Sequence, residues 1–381
     1  MEILGQTPVQ TILFIVIYTI TGVVPLMAAL YLLLRRGNAF APDTTPPLRL
    51  RRWTASFFAV TTLAHVWWLL FYIYSGDPHS VGYLTAIVLD YVTLLPSIVG
   101  TLLAMLQDRR RPVWPAFVAM IPIVAIGGVL MTGPNERLAQ IGVAYIVLLY
   151  VLFAVYVAFA VRQYGRWLRD NYADLEHKEV WFTCMLSLVF ILLLIFYAIV
   201  ETNTTLTCIL HVIEIVLFGL LLWRVETLPT LEDSSMESEI FAPAVEETDG
   251  SEKVQAIATE AQPTNVDIAQ ISRLLAANCV DAQLYLRPNL TLQQLAQAVG
   301  TNRSYLSLYF SRQGITYYIY INNLRVNHFI SRYQELAATG QAIVAQDLAQ
   351  ESGFRSYSTF GRAFMQRTGQ SVTAWMHDTS E

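Results

Sequence analysis

Residues 290–310 read LTLQQLAQAVGTNRSYLSLYF, and residues 345–364 read AQDLAQESGFRSYSTFGRAF. The second stretch repeats the design of the first at an offset of 53 to 54 residues: Leu348 and Ala349 answer Leu295 and Ala296, Gly353 answers Gly300, and Phe360 with Phe364 answer Leu306 with Phe310. Each copy predicts two amphipathic helices joined by a short turn, with Leu295, Ala296 and Val299 on the inner face of the first helix. Thr291 is a natural N-cap for that helix, Gly300 supplies the tight turn, and Asn302 caps the helix that follows. Between the copies, residues 317–336 predict one long helix that sets the distance between the two units. No strand-like alternation occurs from 266 onward, so this part is expected to be all-α.

A single pair of helices at this spacing is weak evidence, because many helical domains contain one; two pairs in register are a stronger signal. The outer side of each second helix carries the residue types that contact a DNA backbone and base edges. These are Arg303, Ser304, Ser307 and Arg312 in the first copy, and Arg355, Ser356, Ser358, Thr359 and Arg362 in the second. Arginine offers a two-pronged donor to guanine or phosphate, and Ser and Thr hydroxyls reach phosphates near a helix N-terminus.

With Gly353, Phe354, Tyr357, Phe360, Arg362, Phe364 and Gly369 in one run, and Tyr320-Ile-Asn-Asn-Leu-Arg325 upstream of it, residues 270–377 resemble the AraC/XylS-type DNA-binding domain. The resemblance implies a bacterial transcription regulator whose recognition helices, at about 303–312 and 357–367, read successive major grooves about 34 Å apart. Double-stranded DNA at promoter sites is the partner it implies. Two departures stand out: Ser371-Val372 occupies the place of the usual proline after Gly369, and the end reads Trp375-Met376-His377 without the common arginine. From 266 onward nine Arg face seven acidic residues, a net charge of +2, which is low for phosphate binding by one copy and points to a homodimer or clustering.

The rest of the chain is of another kind. With 55% hydrophobic and 14% charged residues overall, the sequence is not that of a soluble protein. Seven apolar windows, at about 9–34, 53–74, 83–106, 113–132, 141–161, 181–200 and 206–223, have the roughly 20 residues that a bilayer core requires. Pro25, Pro96 and Pro122 fall inside them, where kinks are tolerated. The first window is too long for a cleaved signal and no basic residue precedes it, so a retained anchor is expected. Arg35, Arg36, Arg49, Arg51 and Arg52, then Arg109 to Arg111, then Arg162, Arg166, Arg169 and Lys178, and finally Arg224 fall on one side of these windows, and only Arg137 on the other. That asymmetry predicts an N-terminus outside and a C-terminal domain in the cytoplasm of a bacterial inner-membrane protein. Trp53, Trp67, Trp68, Trp114, Trp181 and Trp223 mostly sit near window ends, as an interfacial belt does.

Four ionisable side chains lie inside the windows: His65, Asp90, His211 and Glu214. Counted at about 1.5 Å per residue, all fall roughly 8–15 Å below the outer surface. Such groups mark either a polar site for an unknown signal ligand or a set of interhelical hydrogen bonds, and both readings stand. His211 and Glu214, three apart, share a helix face. No metal or other cofactor is assigned, since a site with two histidines would need a third ligand at matched depth.

The expected organisation is therefore all-α: a seven-transmembrane helical bundle over 1–227, an acidic flexible linker over 228–265, and a cytoplasmic domain over 266–381 with two helix-turn-helix units. From 225 to 265 the chain holds ten acidic residues and one lysine, a composition that does not fold alone. Cys184, Cys208 and Cys279 have no zinc or disulfide spacing and are expected as buried thiols. No catalytic, kinase or receiver pattern appears, so an enzyme is not expected. The leading reading is a one-component sensor that couples a signal in the bilayer or outside it to promoter binding. Two others are a factor released by proteolysis in the linker, and a transporter or membrane enzyme with a regulatory tail.

Overall fold

In the computed structural model, the structure describes residues 8–74, 81–133, 135–176, 178–199, 204–231, 268–341 and 343–380. They are almost entirely helical, and the chain divides into two compact units, 1–165 with 177–230, and 166–176 with 231–381. Nearly all of the acidic linker lies outside the described residues.

The first unit contains α1 (Pro8–Leu34), α2 (Leu48–Tyr74), α3 (Val81–Met105), α4 (Trp114–Val118), α5 (Ile121–Leu130), most of α6 (Glu136–Asn171), α7 (Trp181–Ile199) and α8 (Thr204–Thr227). Of these, α1, α2, α3, α6 and α8 are long and apolar enough to cross a membrane. In such helices every backbone group finds its partner within the segment, and the hydroxyls are satisfied in the same way. Thr21, Thr54 and Thr61 each donate to the carbonyl four residues back, at 2.8, 3.0 and 2.9 Å. The seventh expected window falls in α8 and the sixth coincides with the 19-residue α7.

The fourth window, expected as one span over 113–132, is instead two short helices, α4 and α5, divided at Ala119–Met120. The cause is Pro122: it has no N–H to continue the α4 ladder, and its fixed φ suits the first turn of a new helix.

Within this unit α2 packs along both α1 and α3, and α8 closes on α1. Small residues set how near the helices come. A Cβ built on Gly100 of α3 would lie 2.2 Å from Cε3 of Trp53, so the indole rests on the glycine backbone. Trp53 is thus a packing residue of α2 and α3, not a member of a lipid-facing belt, whereas Trp114, Trp181 and Trp223 are exposed. The arginines that gave the charge asymmetry also hold the ends of the helices together. Arg35 pairs with buried Glu226 at 3.1 Å, Arg51 donates to the Leu32 carbonyl at 2.6 Å, and Arg49 donates to the Arg111 carbonyl at 2.6 Å. Arg224 donates to the Glu179 carbonyl and, at 3.3 Å, to the Thr183 hydroxyl.

The second unit holds α9 (Ile268–Leu275), which runs into a π-turn at Ala276–Asp281 and a short 3-10 turn at Leu284–Leu286. There follow α10 (Leu292–Val299), α11 (Arg303–Arg312), α12 (Tyr317–Ala338), α13 (Ala345–Glu351), α14 (Tyr357–Thr368) and α15 (Val372–Ser380). It has two apolar cores, one around α10 and α11 and one around α13 and α14. The long helix α12 belongs to both: Tyr317 and Ile321 enter the first, and Val326, Phe329 and Tyr333 enter the second.

Where the cores meet, Arg325 is 1% exposed. Its Nε donates to the Tyr285 carbonyl at 2.7 Å, its Nη2 donates to the Arg287 carbonyl at 2.7 Å, and its guanidinium lies 5.7 Å from the centre of the Phe354 ring. All three cysteines are free and buried, as expected. Burial raises the Cys279 thiol to about 11, so it remains protonated at neutral pH.

Candidate nucleic-acid interface and buried polar cluster

The two helix pairs agree in backbone bonding as well as in sequence. After α10, Gly300 N–H bonds to the Gln297 carbonyl at 3.1 Å and Thr301 N–H to the Ala296 carbonyl at 2.9 Å. After α13, Gly353 N–H bonds to the Gln350 carbonyl at 2.9 Å and Phe354 N–H to the Ala349 carbonyl at 3.1 Å. Both are Schellman closures, with the glycine at φ +75° and +88° respectively.

The helix that follows each turn is capped alike. Asn302 Oδ1 accepts from Tyr305 N–H at 2.8 Å, and Ser356 Oγ accepts from Thr359 N–H at 3.3 Å. Thr291 caps α10 in a reciprocal arrangement with Gln294. Leu306, Phe310, Phe360 and Phe364 are all buried, as the repeat requires.

The residues expected on the outer faces divide into three groups. Ser304, Ser307, Arg312, Arg355, Ser358 and Arg362 are exposed. Arg303 and Ser356 are half-buried: Arg303 Nε donates to Asn171 Oδ1 at 2.9 Å, and Ser356 is the N-cap of α14. Thr359 is buried, with its hydroxyl 3.1 Å from Ser356 Oγ, and belongs to the first turn of α14 instead of the outer face. Tyr305 and Ser311 of α11, and Met365, Gln366 and Arg367 of α14, which the sequence reading passed over, are also exposed. Arg367 lies five residues past Arg362, about 140° further round the helix, so the spacing of the quoted arginines does not point to it.

In the first unit, the contacts of the four ionisable residues fall into two sets. Asp90 is held from α2 by two indoles, with Trp67 Nε1 donating to Oδ1 at 2.9 Å and Trp68 Nε1 to Oδ2 at 2.7 Å. These two tryptophans therefore serve as hydrogen-bond donors between α2 and α3. The other three residues meet. His211 Nδ1 lies 3.0 Å from Glu214 Oε2, and the His65 and His211 rings are 5.8 Å apart. Tyr18 of α1 covers both rings at 5.0 and 5.6 Å, and its hydroxyl donates to the His65 carbonyl at 2.7 Å.

Residues 295–378 match the family model of a helix-turn-helix domain, a stretch that takes in most of α10 and all of α11 to α14. No curated protein and no solved structure matches the chain. Residues 295–378 thus carry a helix-turn-helix domain, which indicates a DNA-binding transcription regulator.

Proposed function

We propose that the protein is a membrane-anchored, sequence-specific transcription regulator. A bundle of seven spans with its N-terminus outside, the fourth made of α4 and α5 in succession, carries a cytoplasmic domain in which α10 with α11, and α13 with α14, form two helix-turn-helix units. The observation that carries this reading is the pair of identically closed turns inside the matched domain, each followed by a capped helix that exposes at least one arginine. In this reading α11 and α14 enter successive major grooves. Arg312, Arg355 and Arg362 supply phosphate or guanine contacts, and Ser304, Ser307 and Ser358 add hydroxyls. Arg303 joins them once it leaves Asn171, and Ser356 both caps α14 and borders the same face.

The α12 helix supports the spacing. Its 22 residues form a rod of about 33 Å at about 1.5 Å per residue, on the scale of the roughly 34 Å duplex repeat. The charge asymmetry supports a cytoplasmic placement of this domain, the side on which DNA lies. In the one-component reading, a signal received by the bundle changes the orientation or pairing of these domains, and a homodimer offsets the low net charge of one copy.

Chromatin immunoprecipitation of the intact protein from the membrane fraction tests the proposal. Specific promoter fragments are expected to be enriched, and enrichment is expected to fall to background when Arg312 and Arg362 are both replaced by Ala. Absence of enrichment, or equal enrichment by the double variant, would overturn the DNA-reading assignment.

A further inference from the structure

His65 on α2 and His211 with Glu214 on α8 each offer one donor atom, and the three donors lie within 4.8 Å of one another. Around a tetrahedral ion with bonds of about 2.0–2.2 Å, donors stand roughly 3.4 Å apart, so side-chain rotation of about an ångström closes the set. Two imidazoles and a carboxylate are a donor set that zinc and its neighbours among the late first-row divalent ions accept. Calcium and magnesium prefer six or more oxygens.

Hydrogen bonding accounts for part of this arrangement and leaves the rest open. His211 and Glu214 pair with each other at 3.0 Å, with both residues buried. His65 is different. Its Nδ1 lies 2.9 Å from the carbonyl oxygen of Thr61, and a carbonyl only accepts, so Nδ1 carries the ring proton. The lone pair is then on Nε2, which is buried and has no hydrogen-bond partner. A histidine whose far nitrogen donates to a backbone carbonyl, with the other nitrogen bare, is in the tautomer and orientation of a metal ligand. The surroundings are largely aromatic. Tyr18 lies against both imidazoles, Phe14 lies 6.5 Å from His211, and a Cβ on Gly22 would already touch His65 at 3.4 Å.

We propose that His65, His211 and Glu214 bind one divalent transition-metal cation of the zinc class, with the fourth coordination position left to water or an exogenous ligand. Asp90 is not among the residues whose donor atoms lie within 4.8 Å of one another, and its oxygens accept from Trp67 and Trp68. The site itself stands on geometry alone, and only its role as the signal-receiving element rests on the function proposed above.

The test uses the full chain in lipid nanodiscs, stripped with a chelator and titrated with Zn²⁺ against a chromophoric competitor. One saturable site per chain is expected. Replacing His65 by Gln, or Glu214 by Gln, is expected to weaken binding by about 100-fold or more, while Asp90→Asn is expected to leave affinity within about twofold. As a check that needs no variant, Co²⁺ bound to the wild-type chain should give the intense visible bands of a four- or five-coordinate nitrogen and oxygen site. Absence of saturable Zn²⁺ binding, unchanged affinity in H65Q and E214Q, or the weak spectrum of six-coordinate Co²⁺ would each overturn the proposal. These readouts are stoichiometry, affinity and spectrum, whereas the DNA reading is scored on promoter enrichment, so either can fail without the other.

Discussion

Replacing Gly353 by alanine would place a methyl carbon 2.7 Å from the Leu286 carbonyl oxygen and 2.9 Å from its carbonyl carbon, both backbone atoms. The equivalent replacement at Gly300 would put the methyl into open space, with no atom within 4 Å. The two turns share their bonding and differ only in what lies opposite. Both variants incur the left-handed conformation of an L-residue, at about 1–2 kcal/mol. Only Gly353→Ala must also move the backbone near Leu286 by several tenths of an ångström, and overpacking of that kind adds about 1–3 kcal/mol. The expected losses are therefore about 1–2 kcal/mol for Gly300→Ala and about 2–5 kcal/mol for Gly353→Ala. Hydrogen exchange of the full chain in nanodiscs, read on peptides from α10 to α14 by mass spectrometry, measures both. The reasoning is refuted if Gly300→Ala destabilises as much as Gly353→Ala, or if neither changes protection.

Three further outcomes are expected. Arg325→Met keeps the aliphatic stem but leaves the Tyr285 and Arg287 carbonyls without their donor, a loss of about 2–6 kcal/mol at about 1–3 kcal/mol per orphaned group, measurable by the same exchange experiment. Gly100→Val should reduce the yield and heat stability of the bundle, since even a Cβ would overlap the Trp53 ring, whereas Gly219→Ala, which meets nothing within 4 Å, should behave as wild type in a detergent melting assay. His328 is held below its ordinary 6.5, first by burial and then by Arg332, with Glu351 and Glu335 acting in the opposite direction. The neutral ring is thus favoured in the folded state, so its contribution is full above 6.5 and is lost as the pH falls through the lower folded value; unfolding of His328→Gln, followed between pH 7 and 5, should show a shallower acid loss than wild type.

What could be read in advance was what short stretches of chain determine. Helices that the family resemblance implied at about 303–312 and 357–367 are present at Arg303–Arg312 and Tyr357–Thr368, and the caps and turn glycines that bound them act over four or five residues. Matters set by distant parts of the chain were less visible. The Arg35 and Glu226 pair joins residues nearly 200 positions apart, a link that no local pattern shows. Depth along a helix follows from counting, and it suggested a single group of four polar residues. Which side chains touch depends on the neighbouring helices: Asp90 is held by Trp67 and Trp68, while His65, His211 and Glu214 meet. Thr359 shows the same limit on a smaller scale: it lies in a run of hydroxyl residues, yet its place in the first turn directs it inward. At 113–132 hydropathy outweighed Pro122, although the missing N–H decides where one helix ends and the next begins.

Arg325 touches the carbonyls of two residues beside the first core and the ring of Phe354 in the second, so neither half can open without exposing groups on which the other depends. The two halves are therefore expected to open together. Protection gained when a ligand engages α14 should extend to the amides of α10, about 60 residues away in the chain, and a lesion in either core should lower the melting of both together.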